Sequence, residues 1–411
     1  MAAPGVVVLG GYVNALGVVR ALHARGVPAV VVRTQSFDIA HLSRCVSSHA
    51  TVTGVAEQPD LIVDLLERRA TDWAGWAVLP TNDEALAALA LNHDRLSSRY
   101  RLIAPPLEVA RHLLDKTVML ASARAVGADV PTHFGPATEE TAAGSDLSFP
   151  VVVKPLVGYR FAARFGTKLF VANDHEELRR CVALLARAKI EGQVVELVPG
   201  RDSDIYQYTT YMDEAGESRG GLTVRKLRQG PPLFGVARVA EIVRSPDGLE
   251  ETTLELARRI GLRGIASAEY KLDPRNGRFR FLELNGRSVV YNGLLRRAGL
   301  DLPWLAWSDY VTGRLERARP NGWPGVWINL HADVLYSTLY RTADRPSLAD
   351  FLTPYRRPKL EAVWSASDPL PFLAQWARTA RAGAQALTKR EHRELVADRA
   401  RVSASRATRP L

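Results

Sequence analysis

The most informative part of this sequence is the segment SAEYKLD at 267–273, followed, after the turn PRNG, by RFRFLELNGR at 278–287. Both segments alternate in the way that strands do, and the turn places a glycine where a positive φ is required. A hairpin that pivots near Asn276 sets Glu269 opposite Glu283. We therefore expect two carboxylates to face one another across this hairpin.

The same alternation carries Glu283, Asn285 and Arg287 along one face of the second strand. Carboxylate and amide oxygens suit Mg²⁺ (or Mn²⁺), so we predict that Glu269, Glu283 and Asn285 bind the metal. Arg287 is placed to clamp a phosphoryl oxygen in a forked geometry. The alternative is an ordinary hairpin with cross-strand charges. We disfavour it because a carboxylate buried in an apolar strand without a partner is costly.

Two lysines upstream of this hairpin are candidates for binding an anion. Lys154 ends the buried strand at 150–155, and Lys116 opens a helical stretch. The chain contains 8 lysines against 46 arginines, so a lysine more often marks a place that needs a compact point charge. Taken alone, Lys116 could be ordinary surface charge, whereas the pair indicates a ligand anion.

The segment around 194–204 has features of a nucleotide-binding hinge. Glu196 could accept from an adenine amino group while the backbone of Val198 contacts the ring. Either Asp202 or Asp204 could reach a ribose hydroxyl. The basic stretch at 157–168 could fold over phosphates as a loop.

The first ~105 residues alternate short apolar strands with helices, which predicts a parallel sheet covered on both faces. The turn at Gly10-Gly11 does not match G-x-G-x-x-G, no acidic residue ends the second strand, and no G-K-[ST] follows. It is interpreted as a tight strand-to-helix turn, as a substrate-contacting loop at a helix N-terminus, or as a dinucleotide site.

The remainder of the chain reads as α+β. We predict one helix over 107–126, then strands at 194–198, 205–212, 221–227 and 235–242, and a helix over 248–260. Aromatic residues and prolines after 320 indicate a closing lobe or a lid. The predicted domains are 1–105, 106–315 with lobes at 106–195 and 196–315, and a C-terminal segment with a basic tail at 316–411.

Composition narrows the classes of function. A net charge of +10 in 411 residues requires that nucleic-acid binding be considered, but much of the excess positive charge lies in the tail. No element interleaves aromatic with basic residues as single-strand binders do. Two cysteines without a CxxC pair argue against a zinc site, and no signal peptide or membrane span is visible. A cytoplasmic protein without nucleic-acid or membrane partners is expected, and a homodimer is one assembly that we consider.

These pieces stand in the order found in the ATP-grasp superfamily, and residues 107–313 resemble the predicted carboxylate–amine ligases, the group similar to D-aspartate ligase. The segments that carry the resemblance are LDK at 114–116, PVVVKP at 150–155, ELVPG at 196–200, RKLRQ at 225–229, GIASAEYK at 264–271 and LELNGR at 282–287. The resemblance implies a Rossmann-like pre-ATP-grasp domain followed by a two-lobed ATP-grasp fold. It also implies that the matching acidic residues and Asn285 bind two Mg²⁺ ions.

The same resemblance implies that Lys116 and Lys154 bind the phosphates of ATP and that Glu196 binds adenine. The expected reaction joins a small-molecule carboxylate to an amine through an acyl phosphate and releases ADP and phosphate. Arg287, with Arg225 or Lys226, would stabilise the oxyanion of the tetrahedral intermediate. Alternatives are a carboxylating or phosphorylating ATP-grasp enzyme, a nucleotide-binding regulator without turnover, and a dinucleotide oxidoreductase.

Overall fold

The protein is described here from a computed structural model that covers residues 4–55, 57–339 and 347–388. The predicted basic tail, which contains Lys389, Arg393 and Arg409, lies outside these residues. Within them the strands form three sheets.

The first sheet is parallel and is built from apolar segments near the N-terminus. Its strands are β1 Val6–Leu9, β2 Ala29–Arg33, β3 Ser48–Thr51, β4 Ala77–Pro80 and β5 Arg101–Leu102. They lie in the order β3-β2-β1-β4-β5. Nearly every residue of β1, β2 and β4 is buried, which confirms the predicted sheet covered on both faces. Strand β3 was not predicted, because its sequence SHAT is polar and mostly exposed at the sheet edge.

Four helices accompany this sheet: α1 Val13–His23, α2 Asp60–Arg68, α3 Asp83–Leu91 and α4 His93–Ser97. Asn82 caps α3, since its side chain accepts a hydrogen bond from the Ala85 backbone N–H at 2.9 Å. The cap places the first turn of α3 at the carboxyl end of β4. This turn contains Asp83, which contacts Arg287.

The single helix predicted over 107–126 is in fact two helices, α5 Leu107–Leu114 and α6 Lys116–Ala125. The chain breaks at Asp115, whose backbone is extended and whose carboxylate accepts from the N–H groups of Thr117 and Val118. An aspartate that caps a helix competes with continuation of the preceding one. Lys116 is therefore the first residue of α6.

A second, antiparallel sheet holds β6 His133–Pro136, β7 Val151–Pro155, β8 Phe170–Ala172 and β9 Gly192–Glu196 in the order β6-β9-β7-β8. Its helices are α7 Glu139–Ala143, α8 Gly158–Phe165 and α9 His175–Ala188. Helix α8 occupies the segment that the sequence indicated as a loop. Phe161 and Phe165 lie one turn apart and both contact Phe170, which anchors this helix to the sheet.

The third sheet contains β10 Ile205–Met212, β11 Ser218–Gly230, β12 Val236–Val243, β13 Gly264–Asp273, β14 Arg278–Asn285, β15 Val326–Ile328 and β16 Lys359–Glu361. The order is β14-β13-β10-β11-β12-β15-β16. The predicted hairpin is β13–β14, and Glu269 pairs with Glu283 as expected. Nearer the turn the register differs, since Tyr270 pairs with Phe281 and leaves Leu282 as an extra, bulged residue.

The remaining helices are α10 Leu249–Arg259, α11 Asn292–Arg297, α12 Leu302–Trp307, α13 Leu330–Leu339, α14 Leu348–Leu352 and α15 Leu370–Thr388. The segment after 320 is therefore no separate lid over its described part, because β15 and β16 extend the third sheet. Helix α15 returns to the first sheet, where Arg378 donates to the Asp38 carbonyl at 2.8 Å. No described helix has the length and apolar character required to cross a membrane.

Candidate active site

The predicted metal ligands meet at the open end of the β13–β14 hairpin. The Asn285 amide donates to Glu283 Oε1 at 3.1 Å, and the Lys116 ammonium lies 3.2 Å from Glu283 Oε2. Burial would raise the pKa of the Glu283 carboxyl, but the positive charges of Lys116 and Lys168 outweigh it and hold that pKa well below its usual range. Glu283 is therefore ionised, as a metal ligand must be.

Glu269 lies on the same face and is held by two buried donors. Its Oε2 accepts from Lys226 Nζ at 2.6 Å and from the Gln207 amide at 2.8 Å. Gln207 in turn accepts from the Tyr291 hydroxyl at 2.5 Å. Such outer contacts orient a metal ligand and tune its charge. Gln207 and Tyr291 were not predicted, because the pairing of β10 with β13 joins residues that are far apart in sequence.

The structure separates the two basic residues that were considered together for the oxyanion. Neighbouring residues of a strand face opposite sides of the sheet, so only Lys226 shares the face of Glu269. The Arg225 guanidinium instead donates to the Ser203 carbonyl at 2.7 Å and lies over the Tyr206 ring at 5.6 Å. An oxyanion role for Arg225 does not fit this position, and we assign it no part in the site.

Arg287 is held by a residue of the N-terminal part of the chain. Its Nε donates to Asp83 Oδ1 at 2.5 Å, and Asp83 lies in the first turn of α3. Burial would lower the pKa of Arg287, but the Asp83 carboxylate more than compensates, so that pKa is raised. Asp83 was not predicted, because only the packing of α3 against the end of β14 reveals its contact.

The second lysine, Lys154, lies on β7. Burial, and then the positive charge of Lys116, lower the pKa of the Lys154 ammonium below its usual range. Lys154 pairs in register with Gln193 of β9, so their side chains share a face. Gln193 is 1% exposed, and neither its amide nitrogen nor its amide oxygen has a hydrogen-bond partner among the described residues. Buried amides are normally satisfied, which makes Gln193 a candidate ligand contact that sequence reasoning missed.

The side chain of Glu196 is largely occupied within the protein. Its Oε2 accepts from the Thr132 backbone and hydroxyl, each at 3.0 Å, and from Arg280 at 2.8 Å, while its Oε1 accepts from Arg275. An adenine amino group would have to share these oxygens. The predicted adenine role of Glu196 stays a prediction.

The other predicted hinge residues also have partners within the protein. Asp202 accepts from the Gln229 backbone at 2.9 Å, and the Asp204 carboxylate accepts from the Arg201 backbone at 2.6 Å. The Val198 carbonyl accepts from Lys271 Nζ at 3.0 Å. Their contacts with a nucleotide remain predictions.

The donor set fits Mg²⁺. Among the described residues no group of three His, Cys, Asp or Glu side chains could hold a metal, so the candidate centre is the set of two carboxylates and one amide. Mg²⁺ is commonly bound through one or two carboxylates and keeps further positions for phosphate oxygens. Glu269, Glu283 and Asn285 provide that combination.

The comparisons with known proteins bear on the fold of the chain. No protein-family model matches the chain. D-Aspartate ligase from Enterococcus faecium is 27% identical over 164 residues, a match that spans 36% of this chain and only 38% of that enzyme's length.

Solved structures share the architecture at low identity. L-Amino acid ligase from Bacillus licheniformis superposes with a TM-score of 0.60 at 17% identity and covers 77% of each chain. N5-Carboxyaminoimidazole synthetase from Staphylococcus aureus, in complex with ADP, gives 0.62 at 14% identity and covers 80% of this chain and 83% of its own. Together with the order of the sheets, these likenesses show that the chain has the ATP-grasp fold, with a Rossmann-like domain before the ATP-grasp lobes.

Proposed function

We propose that this protein is an ATP- and Mg²⁺-dependent ligase that joins a carboxylate to an amine. One observation carries the proposal: Glu269, Glu283 and Asn285 converge with Lys116 and Lys226 at one end of a hairpin. The limited match to D-aspartate ligase, which covers well under half of either protein, supports an amino acid as the carboxylate substrate.

The chain supplies most of the machinery through fixed charges. Glu269, Glu283 and Asn285 would hold Mg²⁺, which when bound neutralises charge on the β- and γ-phosphates. Lys116 and Lys154 would position the phosphates of ATP. Because ATP-grasp chemistry requires little proton transfer by the protein before the amine reacts, positioning and electrostatics account for most of the rate.

Two bond exchanges complete the proposed reaction. A carboxylate oxygen attacks the γ-phosphorus, the bond to the β-phosphate oxygen breaks, and ADP leaves with that electron pair. The amine nitrogen then attacks the acyl carbon, and the C–O bond to phosphate breaks as the amine loses a proton. Arg287, held by Asp83, would donate to the oxyanion of the tetrahedral intermediate.

We infer that Gln193 contributes to reading adenine. A glutamine amide can donate an N–H to adenine N7 while its carbonyl oxygen accepts from the N6 amino group. Its unpartnered amide and its place beside Lys154 support this role. Because the oxygens of Glu196 already accept hydrogen bonds from Arg275 and Arg280, a second residue that contacts adenine is expected.

A carboxylating reaction is the second candidate. It is favoured by the fold shared with N5-carboxyaminoimidazole synthetase. Bicarbonate would then take the place of the carboxylate as the oxygen nucleophile that attacks the γ-phosphorus of ATP. Dependence of ADP release on bicarbonate, rather than on an amino acid, would distinguish the two.

The deciding experiment is an ADP-release screen of amino acids, with D-aspartate first, against amine acceptors, read by mass spectrometry for the amide. Glu283→Gln should abolish turnover, whereas Glu176→Gln, at an exposed position on α9, should retain it. ADP release by Glu283→Gln at the parent rate with saturating substrates would overturn the assignment of the site.

A further inference from the structure

A cluster of basic side chains lies at the outer part of the first sheet, on strands that carry none of the predicted ATP-binding residues. Arg33 ends β2, and His49 lies on the neighbouring strand β3, where it pairs with Val31. Alternation places Arg33 and His49 on the face that Val31 shares. His41 contacts His49 with ring centroids 5.2 Å apart, and Arg378 reaches the same region from α15 through its bond to the Asp38 carbonyl.

Three polar atoms of this region are buried without a hydrogen-bond partner in the part of the chain that the structure describes. They are Arg33 Nε, Thr34 Oγ1 and His41 Nδ1. Thr34 is only 5% exposed, so bulk water does not satisfy its hydroxyl. Because buried polar groups are almost always bonded, the unsatisfied Arg33 Nε and His41 Nδ1, which lie on the same side of the sheet, indicate a ligand that supplies the missing partners.

Two arginines, Arg33 and Arg378, stand against one nearby acid, Asp38. Asp38 is 1% exposed and uses its Oδ2 to accept from the backbones of Thr34 at 2.9 Å and Gln35 at 3.0 Å. Burial, and then the charges of Arg33, His49 and Arg378, lower the pKa of His41 to about 4. The excess positive charge of Arg33 and Arg378 would attract an anion.

The cluster and the candidate active site lie at the same end of the first sheet, where its parallel strands terminate. Asp83, which holds Arg287, follows β4, and β4 is separated from β2 by β1 alone. Strands lie about 4.8 Å apart, so the ends of β2 and β4 are roughly 10 Å apart. Ligands of open α/β sheets bind along the carboxyl ends of the strands, which is where Arg33 and Asp83 lie.

We infer that Arg33, His41 and Arg378 form an edge anion site that binds a phosphate or carboxylate group of the amine substrate. The amine would then belong to an elongated, anionic molecule whose reacting nitrogen lies by Arg287 while its anionic group lies at β2. This inference rests on the proposed ligase function for its biological meaning, although the binding site itself can be tested without turnover.

The direct test is calorimetric titration of the full chain, saturated with Mg²⁺ and a non-hydrolysable ATP analogue so that the nucleotide site is filled. Pyrophosphate and tricarballylate serve as the phosphate and carboxylate probes. The parent should bind one or both saturably, and Arg33→Gln and Arg378→Gln should each weaken binding about tenfold, near the loss of one charged hydrogen bond. Arg180→Gln, on the exposed face of α9, is the matched control.

Binding of pyrophosphate alone would identify a phosphate as the natural group, and binding of tricarballylate alone a carboxylate. Failure of the parent to bind either probe, or equal affinity in both variants and the parent, would overturn the inference. Thermal unfolding of each variant separates loss of the site from loss of the fold.

An activity measurement separates this inference from the proposed function. The parent should prefer a phosphorylated amine over its unphosphorylated counterpart, or a carboxylated one where tricarballylate was the ligand, and Arg33→Gln should lose that preference. Absence of ADP release with every amine would refute the ligase proposal and leave the titration result standing.

Discussion

Glu269 shares one carboxylate oxygen between two buried donors, and this arrangement bears directly on metal binding. Lys226 supplies a charge and Gln207 supplies orientation, because Gln207 is itself fixed by the Tyr291 hydroxyl. Removal of the amide would leave Glu269 paired with Lys226 yet free to rotate.

Gln207→Leu should therefore raise the Mg²⁺ concentration required for half-maximal ADP release about 10–100-fold, the usual effect of losing an outer contact to a metal ligand. The measurement is ADP release against Mg²⁺ at saturating ATP. Gln58→Leu, at an exposed position, controls for the change of residue type. An unchanged Mg²⁺ requirement would contradict the role of Gln207.

The proposed contact of Gln193 with adenine leads to a separate prediction about nucleotide preference. Gln193→Leu should reduce the preference for ATP over GTP by about 1–3 kcal/mol, the range for one bidentate amide contact with adenine. The ratio of kcat/KM for the two nucleotides measures it, with Gln58→Leu again as the control. If the variant keeps the parent ratio, Gln193 does not read the base.

The proposed contact of Lys154 with phosphate leads to a prediction about how KM for ATP depends on pH. Its ammonium must be protonated to bind phosphate, and its pKa lies below the usual value, so affinity for ATP is present at low pH and is lost as pH rises through that lowered pKa. KM for ATP should therefore begin to rise below about pH 10.4, the ordinary lysine value.

Lys154→Arg should move that rise to higher pH, because arginine stays protonated. Lys359→Arg, at an exposed position, should leave the pH profile unchanged. A parent profile that stays flat up to the ordinary lysine pKa would show that this ammonium does not contact the phosphates.

Among the secondary-structure elements, the hairpin could be predicted well because its information is local. A turn with Gly277 at a φ of +71° joins two alternating strands. The pairing of Glu269 with Glu283 depends on the bulge at Leu282, because a regular ladder counted from this turn would set Glu269 opposite Leu282. Pairing between distant strands is not encoded locally, so the contact of Lys226 with Glu269 could not be derived. The sequence could not distinguish Arg225 from Lys226 for the same reason. Which of the two shares the face of Glu269 depends on the strands that pair with β11.

Helix α6 shows how one side chain ends one element and begins another. Asp115→Ala removes the acceptor for the Thr117 and Val118 N–H groups and should lower the free energy of unfolding by about 1 kcal/mol. Urea unfolding should show a lower midpoint at unchanged slope, while Asp115→Asn retains most of the stability. Equal midpoints for the alanine variant and the parent would refute the capping role.

Across the whole molecule, the first domain and the third sheet are joined at the candidate site. Arg287 bonds Asp83, and the Asn14 amide of α1 donates to the Ser288 carbonyl at 2.7 Å. Neither Asp83 nor Asn14 could be recognised in the sequence, because their roles arise only when the domains pack. The candidate site is therefore completed by two distant parts of the chain.

Asp83→Asn should lower kcat about tenfold, consistent with weakening one charged hydrogen bond, and leave KM for ATP nearly unchanged. The reason is that Arg287 would lose its anchor while the lysines proposed to bind ATP keep their own contacts. Steady-state kinetics measure both constants, and Asp94→Asn, on a fully exposed side chain, is the control. A large increase in KM for ATP with unchanged kcat would place Asp83 in nucleotide binding instead.

The bulge at Leu282 has a consequence for how this hairpin can vary between proteins. Leu282 has no partner in β13, and the residues on either side of it already face opposite sides of the sheet. Deletion of Leu282 would restore a regular ladder and leave Glu283 opposite Glu269, with Asn285 still on the same face. A one-residue gap at this position is thus compatible with the predicted metal ligands, and homologous hairpins shorter by one residue should be aligned with the gap here.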